Sequence, residues 1–277
     1  IERRQKSLAK AITLVESKKS SDKELSREIL DLAVCKSGKS LRIGITGRPG
    51  AGKSTFIETY GLRLIERGHK VAVIAIDPSS PLNHGSLLGD KTRMERLSQN
   101  EGAFIRPAAT SGYLGGVSQK TKEIIILCEA AGYDRILVET VGVGQSEAIV
   151  SEMVDVLLML ELPFAGDEVQ FIKKGLSELV DIFIIHKADG ERLDACHNMV
   201  QGLKNSLSYG ISKKGIERPV LAISSFTQSG YEGFEIALTS YLKKLHEKDY
   251  FVSNRDQQKD LWLTREITQQ IERRVND

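Results

Sequence analysis

The sequence predicts an α/β fold: a doubly wound, mostly parallel sheet with N-terminal and C-terminal helical extensions. Short apolar runs rich in branched residues recur at 41–45, 71–76, 103–105, 136–138, 156–160, 182–185 and 220–223. They are too short for helices, and from 71 onward they are unbroken by polar residues, the pattern of strands covered on both faces. Amphipathic segments of helix length separate most of them. Such a β–α alternation gives a parallel sheet whose ligands gather at the carboxyl ends of its strands. The third observation is a glycine-rich loop set between the first run and a helix.

The chain opens with two helical patterns. Leu8, Ile12, Leu14 and Val15 stand among charges in 1–17, and Leu25, Ile29, Leu30 and Leu32 in 23–34. Residues 1–40 therefore read as a helical extension, 41–248 as the main domain and 249–277 as a second extension, with closing helices at 231–247 and 254–275. The chain begins at Ile1 without Met and closes in the charged 272–277. Both ends are expected to be trimmed, and an absent segment to hold an oligomer contact.

The first strand, with Leu41, Ile43 and Ile45, runs into Gly47, Arg48, Pro49, Gly50, Ala51, Gly52, Lys53 and Ser54, and a helix is expected from Thr55. This is the G-x-x-x-x-G-K-[ST] phosphate loop in the strand-to-helix context that gives the motif meaning. Successive backbone N–H groups wrap phosphates, glycines supply the turns with positive φ, and the following helix directs its positive end at the anion. Lys53 is expected to reach the β- and γ-phosphates, and Ser54 to place its hydroxyl on Mg2+.

Further candidates fall after later strands. Asp77 ends the second strand, and a polar loop leads from it to Asp90 and Arg93. Carboxylates near phosphate are repelled unless a metal lies between, so Asp77 and Asp90 are candidate Mg2+ ligands, directly or through water. For Asp90 an acidic first turn of a following helix is the competing explanation. Glu139 ends the fourth strand in the Walker B position, and Gly142 follows it to offer backbone N–H to a γ-phosphate. Gln145 would orient a water or simply cap a helix. Lys187 and Asp189 follow the sixth strand. A carboxylate there accepts from guanine N1–H and the exocyclic amine while the lysine stem covers the base, so GTP is favoured over ATP. The competing explanation is an Asp at a helix start. Ser224, Ser225 and Phe226, after the last strand, would add backbone contacts to the base.

Composition bounds the rest. With 39 basic and 37 acidic residues in 277, nothing points to nucleic acid or an anionic membrane as partner. Cys35, Cys128 and Cys196 are too few and scattered for a disulfide framework or a paired-cysteine metal site. No stretch approaches the roughly 20 apolar residues of a membrane helix. A cytosolic or organellar-matrix protein is expected, with no membrane insertion. The histidines 69, 84, 197 and 246 read as surface residues.

The motifs together resemble a known family, the GTPase chaperones of adenosylcobalamin-dependent methylmalonyl-CoA mutase, in the SIMIBI class of P-loop GTPases. The resemblance rests on 47–54, 73–94, 104–116, 127–147 and 165–175, and covers nearly the whole chain. It implies a slow GTPase that gates cofactor loading of the mutase and protects the holoenzyme. Lys53, Asp77 and Glu139 would be catalytic, and Ser54, Asp77, Asp90 and Glu139 would serve Mg2+. Segments 78–90, 141–147 and 162–173 would be three switches, the last relaying nucleotide state to the mutase. It also implies a homodimer helped by a C-terminal arm. Bacterial cytoplasm is the expected setting and mitochondrial matrix the second.

One departure stands out. The family has Asn-Lys-x-Asp where this chain has His186-Lys187-Ala188-Asp189. The Asn ties the base loop to the phosphate loop and bonds guanine N7, and a neutral imidazole cannot copy both amide contacts. Guanine preference is therefore expected with binding weakened by about 1 kcal/mol, up to about tenfold. Arg48 is a lesser oddity, since a Lys near this position crosses to the partner subunit in related dimeric ATPases; a solvent-exposed Arg48 is expected. Some family members carry arginine or ornithine transport ATPase or kinase labels, which supplies a rival reading. A nickel metallochaperone of the same class would need His-rich or paired-Cys stations that this chain lacks.

Overall fold

The computed structural model describes residues 2–17, 19–76, 94–108, 114–140, 146–163, 174–208 and 214–276. Seven strands form one sheet: β1 (Leu41–Gly47), β2 (Val71–Ile76), β3 (Ala103–Ala108), β4 (Arg135–Thr140), β5 (Val156–Glu161), β6 (Ile182–His186) and β7 (Val220–Ile223). Their order is β3-β2-β4-β1-β5-β6-β7, and every pairing is parallel. The order reverses at β1, which lies between β4 and β5, so the crevice for a ligand opens at its carboxyl end. β3 runs three residues past the apolar run that announces it, through Arg106 and Pro107. Proline is tolerated because β3 is an edge strand with no ladder on its outer side.

Helices cover both faces. They are α1 (Glu2–Glu16), α2 (Lys23–Val34), α3 (Lys53–Glu66), α4 (Glu95–Ser98), α5 (Leu114–Ala130), α6 (Ser146–Ser151), α7 (Lys174–Ser177), α8 (Leu193–Ser208), α9 (Tyr231–Glu247) and α10 (Tyr250–Asn276). The period-two alternation of strands divides the core in two. Ile43, Ile45, Val73, Leu137 and Leu158 face α3 and α9, meeting Phe56, Tyr60, Phe234 and Tyr241. Ala72, Ile74, Ile136, Val138 and Leu157 face the other way and meet Ile124 and Cys128 of α5, with Leu8, Ile12 and Val15 of α1 in the same cluster.

At the amino end of the sheet a polar lattice fixes the extensions to the strands. Glu129 at the end of α5 accepts from Gly38 N (2.7 Å), from Ser40 Oγ and from Arg42 Nε and Nη2 (2.9 and 3.0 Å). Arg255 of α10 donates to both Asp155 oxygens at 2.8 Å and to the Gly38 and Ser40 carbonyls. Gln258, one turn on, donates to Val154 O at 2.8 Å. His69, read from the sequence as a surface residue, is instead half-buried against Asp134, with Nδ1 and Oδ2 2.7 Å apart.

Candidate nucleotide site

The glycines of the phosphate loop are required by contact as well as by torsion. Gly47 ends β1 at φ 139°, where a Cβ would lie 2.1 Å from Leu160 O of β5. Gly52 has φ 90°, and a Cβ there would lie 2.5 Å from the His186 ring. Between them Pro49 and Gly50 are exposed and Ala51 is buried. Because Gly52 ends the loop, α3 starts at Lys53, two residues before the expected Thr55, and the Thr55 side chain faces solvent. Lys53 is buried, and its Nζ donates to Gly47 O (2.7 Å) and Arg48 O (3.2 Å), bracing the loop from inside. Ser54 Oγ donates to Glu139 Oε1 at 3.0 Å. A hydroxyl and a carboxylate brought together at a helix start are hard oxygen donors that fit Mg2+. Asp77, His84, Asp90, Arg93, Gly142 and Gln145 lie outside the described residues, as do 164–173. Among the described residues no group of three or more His, Cys, Asp or Glu forms a metal cluster.

The base side is a second lattice. His186, 2 % exposed, closes β6 with its ring against the loop. Its Nδ1 lies 2.7 Å from Ala51 O, and a carbonyl only accepts, so Nδ1 carries the hydrogen. Burial lowers the His186 pKa; the bond to Ala51 opposes this and Lys187 adds to it. The neutral ring then presents Nε2 as an acceptor, which takes the Ser225 hydroxyl at 2.7 Å, and Ser225 accepts in turn from Tyr231 OH at 2.7 Å. The histidine thus ties base loop to phosphate loop, and no ring N–H is left to reach a base. Ser224 Oγ donates to Asp189 Oδ2, and Ala188 N to Ile223 O at 3.1 Å, so the two base loops are joined side by side. Asp189 stands at the start of the short helical turn that follows, as the competing explanation has it, and makes no side-chain cap bond there. Lys187 sits at φ 60° and Phe226 is 90 % exposed.

Two residues of the site escape the motif reading. Tyr231 completes the chain of hydroxyls behind His186. Glu161, at the end of β5, is buried beside the loop, and its Oε2 has no hydrogen-bond partner. A signal for it exists in the sequence: like Glu139, it is an acid closing an apolar strand.

A family model described as "Methylmalonyl Co-A mutase-associated GTPase MeaB" matches residues 8–277. The chain belongs to this family. It is a GTPase by that membership, and "GTPase ArgK" of Escherichia coli (strain K12) is 45 % identical over 269 residues, 95 % of this chain and 80 % of that protein. "Methylmalonic aciduria type A homolog, mitochondrial" of Mus musculus is 41 % identical over 275 residues, 95 % of this chain and 66 % of the mouse protein. A crystal structure titled "LAO/AO transport system kinase" superposes with TM-score 0.82 at 37 % identity, covering 96 % of this chain and 80 % of that one. HypB from Helicobacter pylori, at 18 % identity and TM-score 0.55 over 80 % of this chain and 94 % of its own, shares the fold. Among the described residues no helix is long and apolar enough to cross a membrane.

Proposed function

We propose that this MeaB-family GTPase uses GTP binding and hydrolysis to gate cofactor loading of an adenosylcobalamin-dependent acyl-CoA mutase, of the methylmalonyl-CoA mutase type, and to protect it. The carrying observation is the family match over 8–277, supported by likeness to the mouse homolog over 275 residues. Lys53 neutralises the β- and γ-phosphates. Ser54 and Glu139, with Asp77 and Asp90, hold Mg2+, which when bound offsets charge on the phosphate oxygens. Gly142 offers backbone N–H to the γ-phosphate and Gln145 orients water. Asp189 accepts from guanine N1–H and amine, the Lys187 stem covers the base, and the backbone of Ser224, Ser225 and Phe226 lines it.

A homodimer is part of this reading. Leu263, Ile267 and Ile271 are exposed at four-residue spacing on α10, an apolar stripe on one helix face. The setting is bacterial cytoplasm, with mitochondrial matrix second.

The test combines the purified chain with methylmalonyl-CoA mutase in a non-hydrolysable GTP analogue or in GDP. A complex that depends on which nucleotide is bound, and slow hydrolysis accelerated by the mutase, are expected. Rapid hydrolysis indifferent to the mutase would sink the proposal. The transport-kinase name of the structural relative gives the second reading, an ATP-dependent kinase or ATPase linked to arginine or ornithine transport. Tighter binding of ATP than GTP would favour it, and Asp189 opposes it.

A further inference from the structure

Glu161 has no place in the chemistry above, yet its position demands one. Gly47 and Leu160 are partners in the β1–β5 ladder, and Gly47 has no Cβ to hold the strands apart, so the end of β5 abuts the first turn of the phosphate loop. The Glu161 side chain is 3 % exposed, and its Oε2 is buried without a hydrogen bond. The cation paired with it is Arg48 of the loop itself, with Nε 4.0 Å from Oε2 and the side chain 42 % exposed. That distance is an ion pair without a hydrogen bond, so the carboxylate is only partly compensated. Burial pushes the Glu161 carboxyl up, and Arg48 and Lys53 are the charged groups that oppose the push. A structural buried carboxylate is held by donors, whereas this one is left loose at the edge of a polyanion site.

We propose that Glu161 is a charge gate on the phosphate loop, offset by Arg48, which sets the ratio of triphosphate to diphosphate affinity. A fixed anion beside the loop opposes each further negative charge on the ligand, so it disfavours GTP more than GDP. Arg48 weakens that opposition from the solvent side. Each fixed charge adds its own Coulomb contribution at the phosphates, so losing Arg48 should weaken GTP more than GDP and losing the Glu161 charge should do the reverse. The double variant should therefore fall between the two single variants. The inference rests on nucleotide occupying the loop of 47–55.

The experiment measures GTP and GDP affinity by titration for the wild type, Arg48→Gln, Glu161→Gln and the double variant. Arg48→Gln should weaken GTP about tenfold, the scale of a unit charge at roughly 10 Å with an effective dielectric near 20. Glu161→Gln alone should shift the GTP-to-GDP affinity ratio toward GTP by about threefold or more, since it removes a repulsion that grows with ligand charge. The double variant should bring the ratio back toward the wild-type value. An unchanged ratio in Glu161→Gln, or a shift of that ratio toward GDP, overturns the gate. A wild type that binds neither nucleotide overturns the phosphate-loop reading instead. If Arg48→Gln fails to fold, the ratio in Glu161→Gln decides alone.

Discussion

Two buried glutamates at opposite ends of one sheet are treated in opposite ways. Glu129, at the amino end, is 1 % exposed in its side chain and receives donors from Gly38, Ser40 and Arg42. Glu161, at the carboxyl end, is 3 % exposed and keeps an oxygen without a hydrogen bond. Burial raises both carboxyls, but at Glu129 the Arg42, Ser40 and Gly38 bonds outweigh it and hold the pKa below the ordinary 4.5. At Glu161 burial wins and the pKa stays above that value. The difference separates the work of the two ends. The amino end is finished as structure, whereas the carboxyl end, where parallel sheets bind ligands, keeps charge in reserve for something that arrives.

The largest test of this contrast is Glu129→Ala. Removing one partner of a buried pair leaves Arg42 uncompensated and should cost about 3–5 kcal/mol in urea unfolding. GTP affinity of the folded fraction should hold, because the lattice is at the other end of the strands. A loss of affinity without a loss of stability would erase the distinction. The two glutamates should also respond to acid with opposite signs. The folded pKa of Glu129 is lowered, so its stabilisation is present above pH 4.5 and is lost as pH falls through the folded value. For Glu161 the folded state binds more protons between 4.5 and its raised pKa, so stability grows as pH falls through that window. Glu161→Gln should therefore stabilise the protein at neutral pH, by on the order of 1 kcal/mol, with the gain shrinking on acidification. Destabilisation at neutral pH would mean that its carboxylate is satisfied after all.

His186 lies between these extremes, since both of its ring nitrogens are satisfied by the protein itself. His186→Asn should tighten GDP by up to about tenfold if the amide regains the base contact. An unchanged affinity would show that the tie to Ala51 is all the position supplies. The same variant has a pH signature. The folded histidine titrates below its ordinary 6.5, so the unfolded chain gains a proton first and stability falls as pH drops below about 6.5. With no imidazole to protonate, the His186→Asn protein should lose that component of acid sensitivity, read from melting temperature against pH.

Much of this molecule is legible in its sequence because the signals are local. The apolar runs announce all seven strands, since a strand covered on both faces has no polar positions to blur it. The closing helix pattern at 231–247 coincides with α9, and the loop of 47–54 carries its own chemistry in its spacing. What escapes depends on contacts between distant parts of the chain. Where the N-terminal helices pack is not written locally: α1 buries Leu8, Ile12 and Val15 in the core shared with α5, a partner more than a hundred residues on. The tie of position 186 to the phosphate loop is expected from the resemblance, but the bond of His186 Nε2 to Ser225, 39 residues on, which takes the nitrogen a base contact would need, is not. Glu161 is visible as an acid closing an apolar run, but only the ladder of β1 with β5 puts it beside Gly47.

The smallest expected effect is at Phe226, and it sharpens the division between finished and reserved surface. The ring is 90 % exposed next to Ser225, so it holds nothing in place, and Phe226→Ala should alter unfolding free energy by less than about 0.5 kcal/mol. If the base is met here by backbone alone, GDP affinity should be equally indifferent. A drop in affinity with stability unchanged would make the phenyl ring a lid on the base. The carboxyl end would then hold in reserve an apolar face as well as a charge, and Phe226 would join Glu161 as a group whose partner comes only with the nucleotide.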